Sequence, residues 1–290
     1  MADRKKLRTI LDSLTPREST VEKLNMDPIA FPGRYPDLPD REVVALIAAS
    51  FAFGKVTAIM GAVEQVLAPL GPSPATTLQI TKQSDLKKLY PDFRYRFMSH
   101  EGLVAFLSGI REILLTSGRL SAHVRKDAPV ESADNLFREL LSGSGNEIAL
   151  RSSNLLADPK RGGPAKRWML FLRWMVRNKF PDFGIWNHLI SPSRLIIPLD
   201  THVLRISRYL GFTMKTSPSM KVAREITEAL AQFSPADPLQ FDFALAHMGI
   251  DGICPRNRGL RRCDICPLQE FCLEGRMAGN IESKAGRDFQ

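Results

Sequence analysis

Apolar residues recur at three- and four-residue intervals along most of the chain, the spacing that lines one face of a helix. From Asp40 the stretch REVVALIAASFAFGKVTAIMGAVEQVLAPL keeps this period until the Gly71-Pro72-Ser73-Pro74 turn stops it, which predicts one long helical run. Further helices are predicted from about His100 to Thr116, closed by Gly118, and from Glu131 to Leu141, closed by a flexible Ser142-Gly143-Ser144-Gly145. AKRWMLFLRWMVRN, residues 165–178, is apolar nearly all round, so that helix is predicted to be central and buried. Asp200 to Leu210, Ser219 to Gln232 and Leu239 to Met248 complete the set. No segment alternates with period two, so the fold class expected is all-α.

The breaks at 142–145 and at the proline-rich 180–198 are too short to be free linkers. They divide the chain into an N-terminal extension (1–39), two helical lobes (40–145 and 146–250) with a cleft between them, and a C-terminal loop and tail (251–290). The longest charge-free apolar run, Val43 to Gly54, is too short to span a bilayer, and MADRKKLRTILDSL has no apolar secretory core. A soluble, cytoplasmic protein without a membrane partner is expected. At 44% hydrophobic and 24% charged residues, neither general disorder nor a collagen-like repeat fits.

Charge narrows the function. Lys and Arg outnumber Asp and Glu by 40 to 31, and the pI is near 9.6. No acid lies between Asp158 and Asp182, where Lys160, Arg161, Lys166, Arg167, Arg173, Arg177 and Lys179 fall, and a second group (Arg256, Arg258, Arg261, Arg262) sits among the cysteines. Two basic islands predict a phosphate footprint, hence a polyanionic partner.

The four cysteines, Cys254, Cys263, Cys266 and Cys272, form a C-x8-C-x2-C-x5-C run. Clustered thiols in an intracellular chain are metal ligands more often than disulfides, and this set can close around zinc or an iron–sulfur cluster. With one short pair and two longer loops, the spacing favours a four-iron four-sulfur cluster. Upstream, Asp200 follows a proline-bearing extended segment and precedes an apolar-periodic helix, so it is expected as an N-cap. A carboxylate so placed can also stabilise a developing cation.

The segment Pro198-Leu199-Asp200-Thr201-His202-Val203-Leu204-Arg205-Ile206-Ser207-Arg208-Tyr209-Leu210-Gly211 resembles the aspartate motif of the helix-hairpin-helix DNA glycosylases. The cysteine run some fifty residues later, after FDFALAHMGIDGIC, resembles the iron–sulfur loop of that superfamily's endonuclease III-like members. DREVVALIAASFAFGKV is similar to the family's opening helix, and FRYRFMSHEGLVAFLSGIREIL takes the place of its next pair. The likeness runs from about residue 40 to 273.

That resemblance implies a base-excision glycosylase, probing double-stranded DNA as a nucleoid-associated monomer and excising a damaged base. Asp200 would stabilise the cation left at the sugar, and Lys166 would be the amine of an AP lyase, with Lys160 as the alternative. Phosphates would be held by Lys160, Arg161, Gly162, Gly163, Arg167, Arg258, Arg261 and Arg262, and Phe53, Phe183 and Trp186 are candidate walls of a base pocket. Trp168, Trp174 and His247 are expected in the core. The chain departs from the family in four ways: ADPKRGGPAKR replaces the usual hairpin, the first cysteine gap is longer, Phe51-Ala52-Phe53 stands where a glutamine wedge would be, and Lys166 precedes Asp200 by 34 residues. That interval is similar to the archaeal 8-oxoguanine glycosylase branch, which makes 8-oxoguanine the favoured substrate. A non-catalytic lesion- or structure-specific DNA-binding protein, and a zinc-dependent regulator, are the alternatives.

Overall fold

The computed structural model describes residues 2–14, 24–25 and 27–274. Residues 15–23 and 26 of the expected N-terminal extension, and the tail after 274, lie outside the described residues. The helices are α1 (Ala2–Ser13), α2 (Ala30–Gly33), α3 (Leu38–Ser50), α4 (Val56–Leu67), α5 (Pro74–Ile80), α6 (Gln83–Leu89), α7 (His100–Ser117), α8 (Pro129–Gly143), α9 (Glu147–Ser152), α10 (Lys166–Val176), α11 (Thr201–Tyr209), α12 (Met220–Ala231) and α13 (Asp242–Ile250). Short 3-10 turns link several of them. Among the described residues the one extended pairing is an isolated bridge between Tyr95 and Met98. The fold is all-α, and no described helix is long and apolar enough to cross a membrane.

The chain forms two compact units, one of Arg17–Leu195 and one of Met1–Pro16 with Ile196–Gln290. In the larger unit α3 is enclosed on all sides: Val43 through Ala49 have no exposed surface. Against it pack α5 and α10, the latter bringing Trp168, Phe171 and Trp174 into the core as its all-round apolarity predicts. The helix α7 is the other organiser, with α5, α6, α8 and α9 around it. It meets α8 at Gly109, where an added Cβ would lie 2.4 Å from the carbonyl oxygen of Leu140. The 142–145 stretch is therefore packed rather than flexible: Gly143 lies against Glu112, and Ser144 is buried and donates to the Leu141 carbonyl.

The helical run from Asp40 is broken, contrary to its unbroken periodicity. The Ser50 hydroxyl donates back to the Leu46 carbonyl (2.6 Å), and Gly54 adopts φ 114, a region closed to other residues. A new helix then starts at Val56. The short helices α5, α6 and α9 are below the length at which apolar periodicity identifies them.

In the smaller unit α11 packs on α13, and α12 buries Val222, Ile226 and Leu230. α1 belongs to this unit, with Leu11 fully buried and Lys6 paired to Glu270. The Thr227 hydroxyl accepts the Ile197 amide, tying the segment that leads into α11 to α12.

Candidate nucleic-acid interface

The amine expected at Lys166 opens α10, after Ala165 in the left-handed conformation (φ 45). Its Nζ lies 3.5 Å from the carbonyl oxygen of Ala52, and Arg167 Nη1 donates to the Ser50 carbonyl at 3.3 Å. Ser50 closes α3 and Ala52 lies two residues past it, at the end where helix carbonyls lack partners and the helix dipole is negative, so two cations are attracted there. Burial pulls the Arg167 pKa down to about 10, which leaves it charged at neutral pH.

A ladder of cations and aromatic rings extends from this point. The Arg167 guanidinium lies 4.7 Å over the Phe53 ring, and Arg96 lies 5.8 Å from Phe53 and 5.9 Å from Phe97. Gly54 makes room for it, since a Cβ there would come within 2.9 Å of Arg96 Nη1. Tyr95 stands edge-on to Phe53 at 5.1 Å, and burial raises its phenol despite the opposing pull of Arg96 and Arg167.

The basic island around α10 is not a free footprint. Lys160 pairs at 2.7 Å with the buried carboxylate of Asp134, which Arg138 also holds. Arg173 and Arg177 are buried against Asp182, whose carboxyl is pushed up by burial and pulled down by the two guanidiniums. Arg167, placed with the phosphate contacts from sequence, is instead engaged inside the unit. Of the loop residues, Arg161 is exposed, and Gly162 (φ 81) and Gly163 have open space where a side chain would stand. The acids that neutralise the island come from α8 and from Asp182 itself, so their absence between 158 and 182 misleads.

Trp186 does not line an open pocket. It is 1% exposed, stands edge-on to Phe171 at 5.1 Å, and its Nε1 donates to Glu42 Oε1 at 2.7 Å. The other oxygen of Glu42 accepts the Leu120 and Ser121 amides, so the segment around Trp186, between α10 and α11, is tied into the core. Phe183 packs near Gly33 under the Arg41 guanidinium, while Phe53 belongs to the ladder.

In the smaller unit Asp200 is the N-cap of α11, its Oδ1 accepting the His202 and Val203 amides at 2.8 Å each. One turn on, Arg205 Nη2 donates to His202 Nδ1 (3.2 Å) and to the Cys254 carbonyl (2.5 Å). Gly249 permits this approach, because a Cβ there would fall 2.1 Å from His202 Nδ1. His247 is not a sealed core histidine; it stacks on Phe243 and pairs with Asp251 at 3.2 Å.

The cysteine loop is braced by arginines. Arg261 donates to the Tyr209 hydroxyl (2.7 Å) and to Glu274 (3.0 Å), and Arg258 pairs with the same carboxylate. Arg261 is thus a structural strut rather than a phosphate contact, whereas Arg262 is exposed. The four thiols are half-buried. Burial raises Cys263 and Cys266, and each also feels the charges of the other cysteines. Among the described residues no three His, Cys, Asp or Glu side chains gather tightly enough to hold a metal ion.

The chain belongs to the family described as protein of unknown function (DUF2400), which it matches over residues 27–251. All four cysteines lie beyond the matched residues. No curated protein matches the chain. Among solved structures it is similar to endonuclease III in a trapped covalent intermediate with DNA, at 15% identity and a TM-score of 0.45, over 95% of this chain and 98% of that one.

Proposed function

We propose that the protein is a DNA base-excision glycosylase with AP lyase activity, acting on duplex DNA that carries a damaged base, with 8-oxoguanine as the first substrate to test. The observation that carries this reading is the linkage in the smaller unit between Asp200 and the cysteine loop. The aspartate motif and the cysteines, far apart in sequence, are joined there through Arg205 and the Cys254 carbonyl. Asp200 would stabilise positive charge at C1′ as the base departs. The Lys166 amine would add to C1′ as the base leaves, the C1′–O4′ bond would then open, with the nitrogen's proton passing to O4′, to give an imine, and loss of a C2′ proton would expel the 3′ phosphate. Arg161 and the Gly162–Gly163 backbone would seat a phosphate.

Cys254, Cys263, Cys266 and Cys272 would hold a four-iron four-sulfur cluster, and their chemistry fits: four half-buried thiols on one C-terminal stretch, with Asp264 and Glu270 between them. Bound there, the cluster would neutralise the thiolates and fix the loop. A brown protein with broad absorbance near ~400 nm supports it, and a colourless protein with stoichiometric zinc overturns it.

The test is incubation with duplexes carrying 8-oxoguanine, uracil, an oxidised pyrimidine or an abasic site. Base release is expected from at least one, slowed on the order of a hundredfold by Asp200→Asn. A second reading, DNA binding without catalysis, is favoured by the contact of the Lys166 amine with the Ala52 carbonyl. Salt-sensitive binding with no base release across the panel would decide for it.

A further inference from the structure

The turn from Arg94 to Met98 alternates anchors with exposed residues. Phe93, Tyr95 and Met98 are 8%, 7% and 1% exposed, while Arg94, Arg96 and Phe97 face water, Phe97 at 70%. Two backbone bonds close the turn, Tyr95 N–H to the Met98 carbonyl (3.1 Å) and Met98 N–H to the Tyr95 carbonyl (2.8 Å). The Tyr95 hydroxyl donates to the Phe53 carbonyl at 2.5 Å, fastening the turn to the loop after α3. Arg96 holds φ 53, a left-handed conformation disfavoured for a residue of this size, so the surroundings enforce the shape of the tip. Two acids lie close by: Asp92 is exposed, and Glu101 is bonded to Ser99 at the start of α7 and also feels the charge of Arg94.

We propose that Phe97 is a wedge that enters the base stack of duplex DNA, with Arg94 and Arg96 on the flanking phosphates. The inference rests on the DNA reading above and assigns the residue that would open the helix. Apolar side chains inserted at a base step unstack it, and a rigid mount limits the ordering cost of insertion. The Phe51–Phe53 stretch cannot serve: Phe51 has no exposed surface, Ala52 is 7% exposed, and Phe53 is held between two guanidiniums. Arg96, between the Phe53 and Phe97 rings, continues the ladder from Lys166 to the tip. Opening of the duplex would thus occur on the same unit as the candidate amine.

The experiment uses the full chain and a short duplex carrying 2-aminopurine beside a tetrahydrofuran abasic analogue, read by fluorescence and by anisotropy at several salt concentrations. Wild-type protein is expected to bind and raise the 2-aminopurine signal. Phe97→Ala, at an exposed position that leaves the fold intact, is expected to lose most of that rise and about tenfold in affinity, with an unchanged salt slope. Phe97→Leu, still an apolar wedge, is expected to restore the rise, and Ile148→Ala, an equally exposed apolar residue on α9, to change nothing. Binding with a full fluorescence rise in Phe97→Ala overturns the wedge alone. Absence of binding by the wild-type protein overturns the DNA reading and the wedge with it.

Discussion

Arg173 and Arg177, on and just after α10, close on the Asp182 carboxylate with almost no exposed surface between them. Arg94 and Arg96, two residues apart in the turn before α7, face water instead, and Arg96 lies between two phenyl rings. Both pairs belong to the larger unit. The difference lies in the neighbours that folding supplies: the first pair gains an acid and becomes part of the core, whereas Arg96 gains aromatic rings, Arg94 has only Glu101 within range, and both stay exposed. Positive charge counted along a chain therefore says little about positive charge presented to a polyanion. Here Lys160, Arg173 and Arg177 of the region richest in Lys and Arg are paired internally, and a segment with fewer cations also presents exposed ones.

The contrast breaks most sharply at Asp182. Replacing it with Asn should leave two buried guanidiniums facing a neutral amide and destabilise the protein by about 3–5 kcal/mol, read as a shift in urea midpoint. A loss below about 1 kcal/mol would mean that the pair does not hold the core.

Asp40 separates burial from pairing, because its carboxylate is 4% exposed and accepts the Ala75 amide at 2.7 Å without a guanidinium. Burial raises its pKa in the folded state, so the folded protein binds a proton more readily than the unfolded chain. Ionised Asp40 therefore costs stability above the ordinary carboxylate range, and that cost disappears as pH falls through the raised value. Asp40→Asn, which keeps an acceptor for Ala75, should match or exceed the wild type at neutral pH and flatten this part of the stability profile. A marked loss at neutral pH would show that the charge itself is needed.

The smallest effect on stability is expected at Arg94. Arg94→Ala should leave the unfolding midpoint within about 0.5 kcal/mol of wild type, yet lower the slope of log affinity for duplex DNA against log salt by about 0.9. An unchanged slope would remove Arg94 from the interface.

Much of the helical frame was legible because its signals are local. Gly118 ends α7 in the left-handed conformation, and Asp200 caps α11, as their residue types predict. The break after Ser50 was not legible, since the apolar period runs through it and the loop's carbonyls are taken up by Lys166, Arg167 and Tyr95 from distant segments. Trp186 was misread for the same reason: its partner, Glu42, lies 144 residues away. The exposed tip at Arg96 and Phe97 had no signal of its own in the sequence, because which of residues 93–98 stay in water is decided by the anchors at Phe53 and Met98. Asp200 and the cysteines were identifiable by type and spacing, whereas the bond from Arg205 to the Cys254 carbonyl emerges only once α11 and α13 pack together.

The central claim is that Lys166 supplies the reacting amine, and borohydride reduction in the presence of an abasic-site duplex tests it most directly. Wild-type protein and Lys160→Gln are predicted to give a covalent protein–DNA adduct, and Lys166→Gln none. No adduct from the wild-type protein, or an undiminished one from Lys166→Gln, would contradict the account.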